Sequence, residues 1–284
     1  MRLVTVSVDK VLRPGRLHDD GVMVYAATRM QEVVGEPGYR REMGWVPAPE
    51  VRLRPPVPHP QTIRDFYAFE AHVKNARARR GLGMIPEWYN APVFYFSNTT
   101  NVFGPDEEIR RPSYTKMLDF ELEVAAVIGK IGYNIDPDDA EQYIAGFMIM
   151  NDWSARDVQR EEMKVGLGPA KGKDFATSFG PWILTTDELA DRRVGPGLRY
   201  NLEMVARING KEVSRGNLAD MHFHWGELLA RASQDCMLQP GEIIGSGTVG
   251  TGCLLETGAA PWLEPGDEVE LEVERLGVLR NLVR

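Results

Sequence analysis

Cysteine is scarce: Cys236 and Cys253 are the only two in 284 residues. That excludes a disulfide scaffold and a cysteine-based zinc site, and it predicts two reduced core thiols in a cytoplasmic protein. Positive charge is also in deficit. Lys and Arg total 33 against 41 Asp and Glu, a formal net charge of −8. A chain with this balance is a poor partner for phosphate backbones, so nucleic acid is excluded as a partner. No apolar run approaches the length of a membrane span, which excludes a membrane-spanning role. The opening Met1–Asp9 alternates like a strand and lacks the apolar core and cleavage site of a signal peptide. Internal repeats and low-complexity tracts are missing as well.

What the chain does contain is an acidic strand. In Leu118-Asp119-Phe120-Glu121-Leu122-Glu123-Val124, acidic and apolar residues alternate with the period of two of a half-buried strand. Asp119, Glu121 and Glu123 are expected on one face. Same-face side chains stand roughly 6.6 Å apart, close enough for two carboxylates to lean onto one hard cation. The almost wholly apolar Ala145–Met150 must be buried, and it runs straight into Asn151-Asp152-Trp153. A carboxylate at the end of a buried strand is costly unless paired or metal-bound. Glu121, Glu123 and Asp152 therefore form a candidate oxygen site. Carboxylate-only ligation points to magnesium, manganese or calcium.

Around this pair the chain divides in two. Residues 1–60 read as a small N-terminal β region ending in a proline-rich linker, and residues 61–284 as the main domain. Spacing over residues 61–80 predicts one helix, on which Asp65 and His72, seven apart, share a face. His72 is a candidate general base. Pro92–Phe96 reads as a strand carrying Tyr95, and residues 137–143 as a short acidic helix. Ser154 is expected to cap a helix over residues 155–163 that brings Arg156, Gln159 and Arg160 together beside Asp152. A flexible glycine-rich loop carries Lys173. Asn209-Gly210 marks a hairpin, residues 223–232 a helix, and the segment around Cys253-Leu254-Leu255 a strand. Strands outnumber helices, so the fold is mixed α+β and mostly β.

Several motifs fail on context. Gly245-Ser246-Gly247-Thr248-Val249-Gly250 fits the dinucleotide fingerprint, but no helix is expected after it. The Gly172-Lys173 loop lacks the first glycine and the hydroxyl residue of a phosphate-binding loop. His222 and His224, two apart, make a poor metal pair on a helix and read as capping or surface residues. His18 and His59 suggest no role.

Together these segments resemble the fumarylacetoacetate hydrolase family. The resemblance rests on Asp65-Phe66-Tyr67 with His72, on Leu118–Glu123, and on the highly specific Asn151–Asp157 run with Gln159. It continues through Gly172-Lys173 with Phe175 and Thr177, then Ser246-Gly247-Thr248 and Leu255-Glu256. It implies a fumarylacetoacetase-type β-roll with flanking helices and a small N-terminal β appendage, assembled as a homodimer. It implies a divalent ion, Mg2+ or else Mn2+ or Ca2+, on Glu121, Glu123 and Asp152, with Asp65 a further ligand in some members and Lys173 and Thr177 at positions bordering the metal and substrate. His72, oriented by Glu256, matches the base that activates water, and Arg156, Gln159 and Lys173 match groups that stabilise an oxyanion. Tyr67, Tyr95, Gln159 and Thr248 match substrate contacts. A substrate-contacting tyrosine of the fumarylacetoacetases corresponds to Met163, and a substrate arginine to Arg79 or Arg80.

The implied activity is hydrolysis of a carbon–carbon bond in a β-diketo acid of fumarylacetoacetate or acylpyruvate type. The alternative on the same scaffold is an oxaloacetate-type decarboxylase, or an isomerase or hydratase of aromatic catabolism. A structural calcium protein is the third possibility, and it has no use for His72, Glu256 and Lys173 together.

Overall fold

The computed structural model describes residues 1–79 and 81–284. The strand Leu122–Ile128 is buried along its whole length. Leu122, Val124, Ala126 and Ile128 enter one core cluster, while Ala125 and Val127 enter another. The neighbouring strand Ile144–Asp152 divides its side chains likewise, Phe147 and Ile149 to the first cluster and Met148 and Met150 to the second. Strands sandwiched this way need apolar residues on both faces, which is why both segments read as near-continuous hydrophobic runs.

Both strands lie inside a twelve-stranded sheet. Its main path runs Glu42–Pro47, Gly21–Tyr25, Val11–His18, Arg2–Val8, Thr177–Thr185, Ile144–Asp152, Leu122–Ile128, Ile243–Gly245, Ile63–Phe66 and Phe94–Phe96. The one parallel step on that path joins Ile243–Gly245 to Ile63–Phe66. The N-terminal strands extend this sheet through Arg2–Val8, which pairs with Thr177–Thr185.

A five-stranded sheet, ordered Lys211–Asn217, Glu203–Ile208, Glu268–Val273, Gly277–Val283 and Glu108–Ile109, supplies Met204, Ala206, Val269 and Leu271 to the first core cluster. Helix α1 (Met30–Gly35) supplies Met30, Val33 and Val34 to the second. The other helices flank the sheets: α2 (Glu70–Ala78), α3 (Arg156–Val165), α4 (Trp225–Ser233) and the short α5 (Leu254–Thr257). The architecture is the mixed, mostly-β one expected from the alternation. The Asn209-Gly210 hairpin is present, with both residues at positive φ.

Four local expectations fail. Residues 61–80 are not one helix. Ile63–Phe66 is a strand paired on both sides, and α2 starts only at Glu70. Two ladders of backbone hydrogen bonds override the helical spacing of the side chains. Ser154 does not cap α3; its hydroxyl donates to the Asp152 carbonyl, and Ala155 holds the cap position. Cys253-Leu254-Leu255 leads into α5 rather than a strand. Of the two cysteines, Cys253 is buried but Cys236 is exposed. His224 does act as a cap: its Nδ1 accepts from the Gly226 N–H at 3.1 Å, and Glu227 accepts from the His224 N–H at 2.7 Å.

Candidate active site

Sheet register assembles the acidic cluster. Glu123 lies opposite Met150, two residues before Asp152 on the next strand. On the other side Ala125 pairs with Gly245, which pairs in turn with Asp65. Asp65, Glu123 and Asp152 therefore share one face of three successive pairings. Gly245 leaves the room: a Cβ there would come within 2.5 Å of Asp65 Oδ1. Glu121 joins from just before the strand, its N–H donating to Asn151 Oδ1 at 3.0 Å. One oxygen from each of Asp65, Glu121, Glu123 and Asp152 lies within 4.8 Å of the others.

The expected third member of the acidic face, Asp119, is elsewhere. The strand breaks between Asp119 and Leu122. The buried Asp119 carboxylate accepts the N–H groups of Phe120, Leu254 and Leu255 at 2.9, 2.8 and 3.0 Å, and Arg156 Nε at 2.8 Å. Four donors to a single charged group hold it more firmly than strand alternation can. Asp119 thereby ties the start of α5 and Arg156 to the acidic strand.

Cations and hydrogen bonds hold part of this charge. Lys173 Nζ donates to Glu121 Oε2 at 2.6 Å and also to Asp152 Oδ2. Arg156 Nη2 stands 2.8 Å from Glu121 Oε1. Burial alone would push Glu121 up, but Lys173 and Arg156 outweigh it and hold this carboxyl below the usual range. Burial works against a charged Lys173 too, but Asp152 and Glu121 outweigh it and keep the ammonium protonated. The lysine is thus fixed and buried rather than carried on a loose loop. Glu123 accepts from the Gly247 N–H at 3.1 Å and Thr248 Oγ1 at 3.2 Å, so the glycine-rich turn that resembles a dinucleotide fingerprint wraps a carboxylate instead.

Among the described residues, the rest of the cluster has no cation against it, and its carboxyls shift toward the neutral form. Burial, then the Asp152 charge, pushes Asp65 well above the carboxylate range; burial, then the Asp65 charge, does the same to Glu123. Asp65 Oδ1 and Asp152 Oδ1 are buried and, among the described residues, accept no hydrogen bond. Clustered hard oxygens with orphaned lone pairs fit a divalent ion of the magnesium, manganese or calcium kind.

Beside the cluster, His72 Nδ1 lies 2.7 Å from Glu256 Oε2. Glu256 is itself fixed, its Oε1 accepting from Asn75 Nδ2 and the Thr251 N–H at 3.0 Å each. Burial opposes the charge on Glu256, but the His72 contact and these donors hold its carboxyl below the usual range. A carboxylate on Nδ1 selects the tautomer whose Nε2 carries the lone pair. His72 reaches the cluster from α2 and Asp65 from the strand before it, so the two converge without sharing a helix.

Both groups open into one cavity of about 600 Å³ between α2 and α3. Tyr67 lines it with its ring edge-on to His72, centroids 5.2 Å apart. Tyr95 donates its hydroxyl to Asp152 Oδ2 at 2.6 Å. Gln159 Oε1 accepts from Arg156 Nη1 at 3.1 Å. Thr248 and Met163 also line the cavity. Thr177 pairs with Asp152 in register, but its hydroxyl lies 3.4 Å from that of Ser97 and it does not line the cavity. Arg79 lines the cavity, although its guanidinium donates to the Glu256 carbonyl; Arg80 lies outside the described residues. Residue-by-residue reading misses Asn75 and Asn151. Asn75 carries a usable signal, three residues after His72 on a helix and hence on its face.

Comparison with known proteins gives the chain's family. Residues 61–284 match the family model described as fumarylacetoacetate (FAA) hydrolase C-terminal. The chain is 32% identical to a fumarylacetoacetase of Arabidopsis thaliana, over 72% of this chain and 63% of that protein. It is 33% identical to a mitochondrial oxaloacetate tautomerase of Rattus norvegicus, over 84% of this chain and 71% of that one. The match thus spans somewhat less than two thirds of the plant enzyme. Among solved structures, a probable 2-hydroxyhepta-2,4-diene-1,7-dioate isomerase from Mycobacterium abscessus superposes with a TM-score of 0.77 at 28% identity, covering 100% of this chain and 98% of that one. With a family model matched from residue 61 to residue 284, the chain belongs to the fumarylacetoacetate hydrolase family.

Proposed function

We propose that this chain hydrolyses a carbon–carbon bond in a β-diketo acid of fumarylacetoacetate or acylpyruvate type, as a cytoplasmic homodimer. The observation that carries the reading is the His72–Glu256 pair, buried and oriented beside the four-carboxylate cluster on one cavity. Asp65, Glu121, Glu123 and Asp152 would hold a divalent ion. Such an ion supplies Lewis-acid polarisation of a bound carbonyl and a sink for enolate charge.

The chain's own groups then do the proton work. His72 Nε2 takes a proton from water, while Glu256 steadies the imidazolium through Nδ1. The hydroxide adds to the carbonyl carbon of the acyl group, and the bond from that carbon to the methylene breaks. Its electron pair goes to the enolate of the departing oxo acid, pyruvate from an acylpyruvate or acetoacetate from fumarylacetoacetate. The enolate takes up one proton, so one water is consumed and a carboxylic acid plus an oxo acid are released. Arg156 and Gln159 face the developing negative charge, and Lys173 holds Glu121 and Asp152 in place.

A second reading has specific support. The rat relative bears the name of an oxaloacetate tautomerase and the mycobacterial neighbour that of an isomerase. The same base could move a C–H proton and leave water out. Turnover in 18O-labelled water separates the two, with acylpyruvates and oxaloacetate each supplied under magnesium or manganese. Hydrolysis is expected to place one labelled oxygen in the released carboxylic acid. Proton exchange or loss of carbon dioxide from oxaloacetate, with no acylpyruvate cleaved, would overturn hydrolysis.

A further inference from the structure

We propose that His72, Cys253 and Glu256 form a second metal site, one for a softer divalent ion such as zinc, and that filling it switches off the base. The site stands on geometry; its effect on turnover rests on the reading of His72 given above. One ligand atom from each of the three residues lies within 4.8 Å of the others, and all three residues are buried. Cys253 Sγ lies 3.4 Å from Glu256 Oε2, the same oxygen that faces His72 Nδ1 at 2.7 Å. Glu256 Oε1 is taken by Asn75 and the Thr251 N–H, so Oε2 is the oxygen offered to an ion. Around a tetrahedral zinc, a sulfur–oxygen edge is about 3.6 Å and a nitrogen–oxygen edge about 3.4 Å. The thiol and the carboxylate already stand near ligand spacing, and the imidazole needs to retreat by only about 0.7 Å.

Ligand type and charge point the same way. Nitrogen, sulfur and oxygen donors together suit zinc, whereas magnesium prefers the all-oxygen cluster. The composition excludes a site built on several cysteines, not one with a single thiol. Burial, then the Asp119 charge, keeps Cys253 protonated, so without an ion its thiol donates to Glu256. A divalent ion replaces the protons that His72 and Cys253 present to Oε2, and its two charges balance the thiolate and the carboxylate. The thiol proton leaves to solvent, and the proton lost from Nδ1 is replaced by one on Nε2. Nε2 then has no lone pair with which to take a proton from water. His72 lines the cavity while Cys253 and Glu256 do not, so an ion enters past the His72 ring.

The test uses the full chain in a Cys236→Ser background, saturated with magnesium, with cobalt(II) and zinc as probes. Cys236 is the exposed thiol, and its removal leaves Cys253 as the only cysteine. Cobalt is expected to give a thiolate-to-metal charge-transfer band in the near ultraviolet, which added zinc removes. His72→Ala is expected to demand over about tenfold more cobalt for the same band, since losing even an outer partner of a ligand costs that much. After incubation, zinc is expected to lower turnover of an acylpyruvate by about 100-fold or more, the cost of a silenced base. Cys253→Ser should abolish most of that drop, each variant being compared with itself before zinc. Absence of the thiolate band under saturating cobalt overturns the site. So does zinc inhibition of equal depth in Cys253→Ser, which would put the zinc on the carboxylates instead. A band with turnover untouched by zinc overturns the switch, and with it the reading of His72 as base, while the metal site stands.

Discussion

Replacing His72 with alanine is expected to lower turnover by about 100- to 10,000-fold, the range of a lost general base. The ion site should stay nearly intact, because the four clustered carboxylates come from other positions. The dyad makes this more specific than loss of a residue near a site. Among the described residues no hydrogen bond links the Glu256 carboxylate to the acidic cluster, and its contact with the chemistry runs through His72 Nδ1. Glu256→Gln should therefore also lose rate, and the double variant should lose no more than His72→Ala alone, since the two act as one unit. Removing His72 leaves a buried Glu256 that still accepts from Asn75 and Thr251, so the fold should persist with a modestly lower melting temperature. Steady-state kinetics with calorimetric titration of magnesium reads both quantities. Unchanged turnover in His72→Ala would remove the assigned base.

The second large effect is the linkage of ion, proton and stability. Without an ion, Asp65, Glu123 and Asp152 all have carboxyl groups raised above their ordinary range by burial. The sign follows from proton counts. Above about pH 4 the unfolded chain has released these protons while the folded chain still holds them, so ion-free stability falls as pH rises from there. A divalent ion displaces the same protons, so its apparent affinity rises with pH. At 100 times its dissociation constant an ion binding only the folded state adds about 2.7 kcal/mol, or roughly 4–6 °C in melting temperature for a chain of this size. The gap between magnesium-loaded and chelator-treated protein should widen from about pH 5 to about pH 8. Chelation should abolish turnover, and added magnesium or manganese should restore it. A melting gap that is absent, or that narrows as pH rises, would contradict the linkage.

Much of this site is legible in the sequence, for reasons that differ residue by residue. Glu121, Glu123 and Asp152 stand out because a carboxylate within or beside a buried apolar strand needs a partner, and local sequence displays that conflict directly. Asp119 looks equivalent by alternation. Its actual partners, the N–H groups of Leu254 and Leu255, lie more than a hundred residues away and cannot be read from spacing. Asp65 illustrates the opposite case. Family resemblance places it near the ion, while helical spacing puts it on the wrong element. Its strand exists because Ile243–Gly245 and Phe94–Phe96 pair with it, which is tertiary information. The family resemblance likewise supplies Glu256, whose short helix is held at its start by Asp119. The two-sided burial of Leu122–Ile128 and Ile144–Asp152 follows directly from their apolar runs, so the layered, mostly-β architecture is the most legible part of the fold.

The central claim is that separate strands converge their carboxylates on one hard cation. Anomalous scattering from crystals grown with manganese tests it most directly. One peak is expected within about 2.0–2.6 Å of oxygens from Glu121, Glu123 and Asp152 together, with Asp65 at its edge. Manganese bound elsewhere, or touching only one of these carboxylates, would contradict it.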